Sequence, residues 1–319
     1  MKIGMVGVIN NLSTRLTSHN AGWTYVTKSV LETYFNSQVD ILDNNSNYDD
    51  YKCLVINEGV NYREGVFNFF GGVQESQITS LINFSNYKGY LYSVNQMVDY
   101  NSLIKKRKEL SHLDIKFRTP AVIDLSKVND KLVLGDSHSI SVYKPGYSIS
   151  RNDGKTLFGF LKIGLRNYVP EEVKDLIFYA GNIDVRFHAC RFGKQSVINN
   201  LIELERQLKS LQLESITLVK LIPVECESRK IPGTGLYKDE PFYGSRQDRT
   251  EMVLYFNEVL ESICNKNNWN VIEWDFDYNN FSFDYMEARQ SVHLRPSSYK
   301  NISELLNEKT DDTPVLRLF

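Results

Sequence analysis

The sequence predicts an α/β protein made of two successive units, residues 1–115 and 116–319, each a parallel sheet flanked by helices. Three observations carry that expectation. Short runs rich in Val, Ile, Leu and Tyr recur along the whole chain, and segments with apolar residues at three- and four-residue spacing lie between them. A length of 319 residues, 42% of them apolar and 12% aromatic, supplies two ordinary cores and argues against disorder.

In the first unit, KIGMVGVI (2–9), VDILD (39–43), YKCLVINEG (51–59) and KGYLYSV (88–94) read as buried strands. WTYVTKSVLETYF (23–35) and ESQITSLINFS (75–85) read as the helices between them. Strands alternating with helices imply parallel pairing and right-handed crossovers. The unit resembles a Rossmann-like half, but Gly4 and Gly7 in GMVG lack the G-x-G-x-x-G spacing that cradles a dinucleotide phosphate. The stretch GVNYREGVFNFFGGVQ (59–74) reads equally as a pocket wall or as a surface loop with its Phe residues turned inward.

The second unit repeats the alternation. KLVLGD (131–136), DLIFYAGNID (175–184), SITLVKLIPV (215–224) and NVIEWDF (270–276) read as strands. KTLFGFLKIGLRN (155–167), QSVINNLIELERQLKSL (195–211) and RTEMVLYFNEVLESICNKN (249–267) read as helices. Functional groups of such sheets sit in loops at the carboxyl ends of strands, where GDSHS, GNIDVRFH and the segment after WDF all fall.

A formal charge of -2 and a pI near 6.3 offer no global attraction to nucleic acid or anionic membrane; a nucleic-acid partner is compatible with the chain but not indicated by its charge. The basic run Lys105, Lys106, Arg107, Lys108 reads as a solvated helix face. Cys53, Cys190, Cys226 and Cys264 have no metal-site spacing, and the start MKIGMVGVINN has no basic segment leading into a long apolar core. The expectation is a reduced, cytoplasmic protein without a membrane span, cofactor or metal. His188 and Cys190 lack a third ligand at a suitable spacing.

The chemistry concentrates at KLVLGDSHS (131–139). A serine hydroxyl is a weak nucleophile unless a base lies within hydrogen-bond reach and donors await the oxyanion. A turn at the end of a central strand exposes Ser137 in that way. GDS alone is also ordinary turn composition.

LVLGDSHS resembles the first block of the SGNH, or GDSL-type, hydrolase superfamily, and the likeness runs in the family's order over about residues 130–300. It implies a three-layer α/β/α sandwich for residues 116–319, with Ser137 as nucleophile and its N–H as an oxyanion donor. It implies Gly154 in NDGKTLFG as the glycine block, Gly159 being the less favoured match, and His293 in SVHLRPSSY as the base. Gly181 to Asp184, GNID, stand in the third block, whose pattern is G-x-N-D.

Two positions depart from the family. Ile183 occupies the asparagine position, with Asn182 one residue earlier, and Gln290 stands three residues before His293 where an acid is expected. An amide holds an imidazole but gives its cation no charge, so Asp284 or Glu287 is the alternative orienter. GNIDVRFH also resembles a G-E-I-D-x-R-x-H variant found in carbohydrate-linked SGNH-like proteins, with Asn182 in place of the glutamate. Asp184 and Arg186, two apart on a strand, would point to one side as an ion pair or toward ligand. His138 is read as a support turned away from Ser137.

The polar segment ESRKIPGTGLYKDEPFYGSRQDR (227–249) has the length of a lid, and Arg229, Lys230, Arg246 and Arg249 would suit a phosphate or carboxylate; a solvated loop is the equal alternative. Three functions follow. The first is a Ser-His ester hydrolase or acyltransferase acting on a polar small molecule, a carbohydrate among them. The second is a group transferase on the same scaffold, the first unit binding a second substrate such as a nucleotide or nucleic acid. The third, favoured by Gln290 and Ile183, is a non-catalytic binding protein.

Overall fold

A computed structural model describes residues 1–6, 19–42, 46–57, 87–94, 121–224, 243–287 and 291–306. Among them, ten strands form two five-stranded sheets in which every pair of neighbours is parallel. The first holds β1 (Ile3–Val6), β2 (Val39–Ile41), β3 (Cys53–Ile56), β4 (Tyr90–Val94) and β5 (Ala121–Ile123), in the order β2-β1-β3-β4-β5. The second holds β6 (Lys131–Gly135), β7 (Ser148–Arg151), β8 (Asp175–Tyr179), β9 (Ser215–Val219) and β10 (Asn270–Ile272), in the order β10-β9-β8-β6-β7.

Counted within each sheet, the two orders are the same, 2-1-3-4-5. The reversal of strand order then falls between β1 and β3 in one sheet and between β6 and β8 in the other. Ligand crevices open at that point, beyond the carboxyl ends. The α/β class read from the alternation is the observed one, and the first sheet takes its last strand, β5, from beyond residue 115.

Helix α1 (His19–Phe35) follows β1 and begins four residues before the periodic segment read from the sequence. Its Trp23, Val26, Val30 and Leu31 share one apolar core with Leu132, Val133, Leu134, Ile140 and Val142 of the second half. In the second half α2 (Leu157–Ile163), α3 (Lys194–Lys209) and α4 (Arg246–Asn267) cover the sheet. The span 155–167 is not one helix: Gly164 takes φ 95°, and a separate 3-10 turn, Leu165–Asn167, follows. Ser245 and Asp248 close a capping box on α4, which starts at Arg246 rather than at Arg249.

Two differences from the sequence reading bear on the site. β7, SISR, alternates serine with apolar and charged residues and gives no apolar run. It holds as a strand because buried Ser148 accepts the backbone N–H groups of Val128 and Asn129 at 3.0 and 2.9 Å. The segment read as one strand over 175–184 ends at Tyr179. Gly181 then takes φ 126° and turns the chain into a helical turn, Asn182–Asp184, continued by a π-helical one, Val185–Ala189. A Cβ on Gly181 would also stand 2.8 Å from the Phe256 ring, so glycine is needed there twice over.

The helix read over 75–85, the stretch 59–74, Gly7, the run Lys105–Lys108, Cys226, Arg229, Lys230 and Gln290 lie outside the described residues. No helix of the described residues is long and apolar enough to cross a membrane.

Candidate active site

β6 ends at Gly135, and the chain turns at Asp136 into a 3-10 helix, Ser137–Val142. Gly135 is required by packing: a Cβ there would meet the Tyr179 carbonyl oxygen at 2.1 Å, where β6 and β8 run closest. The Asp136 N–H donates to that carbonyl at 3.1 Å, and the Asp136 carboxylate accepts the His138 N–H at 2.8 Å. These bonds fix the turn and set Ser137 at its outer corner, 8% exposed. The Ser137 N–H opens a helical turn, where N–H groups have no intrahelical acceptor.

His293, 156 residues later in the chain, places Nε2 at 2.9 Å from Ser137 Oγ. Its Nδ1 lies 3.3 Å from Glu287 Oε1, the long end of a hydrogen bond. Of the two candidate orienters among the described residues, Asp284 and Glu287, it is Glu287 that faces the imidazole. Asp284 is exposed and accepts from the Ser282 hydroxyl at 3.1 Å. A short antiparallel bridge, Met286 to Leu294, folds the chain back so that a carboxylate six residues before the histidine reaches it. Within this loop the Glu287 N–H donates to the His293 carbonyl at 3.0 Å, and the Ser291 hydroxyl donates to Glu287 Oε1 at 2.7 Å.

Burial by itself would raise the Glu287 pKa. Hydrogen bonds from His293, from the His19 N–H and from Ser291 outweigh it and hold the carboxyl below its usual value. Burial lowers the His293 pKa; Glu287 opposes the shift, while His138 and Arg151 reinforce it. A base kept neutral below its ordinary range beside an ionised acid is the protonation state that proton removal from a serine needs.

His138 is buried and its ring lies 5.3 Å from that of His293. Nδ1 faces Asp136 Oδ1 at 3.0 Å and Nε2 faces the Val292 carbonyl at 3.0 Å. Both partners are oxygen acceptors, and the ring is held between them. His138 thus ties the serine turn to the loop that carries His293.

Asn182 and Gly154 flank Ser137 at the same sheet edge. Asn182 lies three residues past Tyr179, which pairs with Gly135, and Asn152 donates its N–H to the Gly135 carbonyl at 2.8 Å just before Gly154. Asn182 is 6% exposed, and its buried Nδ2 has no hydrogen-bond partner among the described residues. Gly154 has φ 71° and nothing within 4 Å of a Cβ position. Gly159 lies inside α2, its N–H on the Thr156 hydroxyl at 2.9 Å.

Asp184 and Arg186 do not stand side by side on a strand, because the backbone after Gly181 is helical and residues two apart on a helix face different ways. The Asp184 carboxylate accepts the N–H groups of Leu157 and Phe158 at 2.6 and 3.1 Å, so it secures the start of α2. Burial pushes its pKa up to about 6, against the pull of those two bonds. Arg186 is buried in the π-helical turn, and the Arg246 guanidinium stands 5.5 Å from the centre of the Phe283 ring.

One member of the site has no counterpart in the sequence motifs. His19, first residue of α1, donates its N–H to Glu287 Oε2 at 2.7 Å and stacks on His293 with ring centres 3.9 Å apart and planes 10° from parallel. No local spacing signals it, since its contacts lie 268 and more residues away.

No family model and no curated protein matches the chain. Among solved structures, one from Streptococcus pneumonia, named for platelet activating factor, is 16% identical over 66% of this chain and 94% of its own, with a TM-score of 0.38. A GDSL-like lipase from Bacteroides thetaiotaomicron is 17% identical over 64% of this chain and 95% of its own, also with a TM-score of 0.38.

Proposed function

We propose that the chain is a serine hydrolase or acyltransferase that cleaves a polar ester through Ser137, His293 and Glu287. The contact that carries the reading is the 2.9 Å between Ser137 Oγ and His293 Nε2, with Glu287 on the far nitrogen. Ser137 Oγ attacks the acyl carbonyl as His293 Nε2 takes its proton. Glu287 stabilises the imidazolium by charge, which answers the difficulty posed by Gln290.

The tetrahedral oxyanion is met by the Ser137 N–H and by Asn182 Nδ2, a buried donor whose lack of a partner suits that use. His293 then returns the proton to the departing alkoxide, leaving an acyl group on Ser137. Water or an acceptor hydroxyl, deprotonated by the same imidazole, releases it. The third block's likeness to the carbohydrate-linked variant supports an O-acyl sugar as one substrate class, and Arg186 and Arg246 would serve an anionic group on it.

A fluorophosphonate probe tests the reading. The expected result is one adduct on Ser137, absent in Ser137→Ala and lost as pH falls far enough to protonate His293. A folded chain that takes no label at Ser137 would overturn it in favour of a binding protein or of a transferase that does not use the serine.

A further inference from the structure

We infer that the first turn of α1 belongs to the active site and that His19 is a positioning residue, its backbone N–H fixing the Glu287 carboxylate and its ring holding the face of His293. The inference rests on the hydrolytic role of Ser137, His293 and Glu287 proposed above.

His19 approaches the site with two other residues of its helix face. His19, Gly22 and Trp23 stand at helical spacing of three and four, and all three meet the second half. Gly22 lies against Tyr299 so closely that a Cβ would stand 2.4 Å from its hydroxyl. The Arg151 guanidinium, paired with Asp153 at 2.6 and 2.7 Å, covers the Trp23 ring at 5.1 Å. Tyr299 in turn places its hydroxyl 3.4 Å from His19 Nδ1. The turn is therefore docked at several points beside the nucleophile's base.

The consequence for Glu287 is geometric. Its Oε1 serves His293 and Ser291, while Oε2 is held by the His19 N–H. That N–H is one of the donors a helix leaves open at its first turn, and the helix dipole favours a carboxylate there. Without it the carboxylate is held through Oε1 alone and its plane is less firmly set against Nδ1.

The consequence for His293 is steric and electrostatic. The stacked ring blocks rotation and keeps water from one face. Burial, with His293, Arg151 and His138 pushing the same way, holds the His19 pKa well below its usual value, so the ring stays neutral while His293 becomes charged. A neutral π-face beside an imidazolium attracts it. The groups facing this pair are Glu287, Arg151, His138 and the Tyr299 hydroxyl.

Three substitutions in the full chain separate the two parts. His19→Phe keeps a ring, His19→Ala removes it but keeps the N–H, and His19→Pro removes both at a first helical position, where proline is tolerated. Turnover of 4-nitrophenyl acetate should fall in that order, with Ala about 10-fold and Pro about 100-fold below wild type, mostly in kcat. The acid limb of kcat/KM should move to higher pH in His19→Ala, because burial is the largest influence on His293 and its relief by water outweighs the lost π-face, and stay in place in His19→Phe. A role confined to helix stability moves no pH limb. Should His19→Pro not fold, the comparison of Ala with Phe decides. Wild-type rates and an unmoved limb in His19→Ala, in a protein that wild type shows to be active, overturn the inference alone. A wild type that neither turns over ester nor labels at Ser137 removes the hydrolytic role and this inference with it.

Discussion

The two sheets share a strand order and all-parallel pairing, yet they present different things at the same topological position. In the second sheet the turns after β6 and β8 carry Ser137 and Asn182, a hydroxyl and a buried amide at the point where strand order reverses. In the first sheet the helix that follows β1 sends its opening residue to Glu287 and His293 of the other sheet's site. One topology thus serves as the bearer of the proposed reacting groups and once more as their wall, and the difference lies in the residues at the edge.

That division can be broken at its strongest point first. Ser137→Ala or His293→Ala should lower kcat for 4-nitrophenyl acetate by about 10⁴ or more, against a far smaller change for any residue of the first sheet. Glu287→Gln should cost about 10³ in kcat, somewhat under the serine-protease template because the carboxylate sits at 3.3 Å. Its pH profile has a defined sign. Glu287 raises the His293 pKa, so its loss moves the acid limb of kcat/KM to lower pH even as the rate falls.

Asn182→Ala tests the turn after β8 and should lower kcat by about 10² while KM changes little, the mark of a donor used in the transition state. Asp184→Ala should leave the chemistry nearly intact and cost about 2 kcal/mol in urea unfolding, since two N–H groups at the start of α2 lose their acceptor. Because the folded Asp184 pKa is raised to about 6, its contribution is fully present below the unfolded value near 4 and declines as pH rises through 6. The smallest effect is expected at Gly22→Ala. Helix propensity gains up to about 1 kcal/mol, while the clash with Tyr299 shifts the docked turn, so an unchanged or raised Tm should accompany a several-fold loss of kcat.

Legibility differed from residue to residue. GDSHS and SVHL were readable because each is a contiguous motif, the first at a strand end, and the alternation of apolar runs announced both sheets. The GNID strand differs from the reading because IFYAGNID continues an apolar run, while the turn at Gly181 uses a φ of 126° at a place where Phe256 and Leu221, distant in sequence, leave no room for a Cβ. β7 gave no apolar signal because its buried Ser148 is satisfied by loop N–H groups that no window along the strand contains.

By itself, then, the sequence determined the α/β class, the serine turn and the histidine block, since short-range pattern and turn chemistry suffice for each. Only the tertiary structure decided that Glu287 rather than Asp284 faces His293, and that His19 stands beside them at all. Both answers depend on chain segments brought together by core packing, and a contact spanning 268 residues leaves no periodicity for a local reading to find.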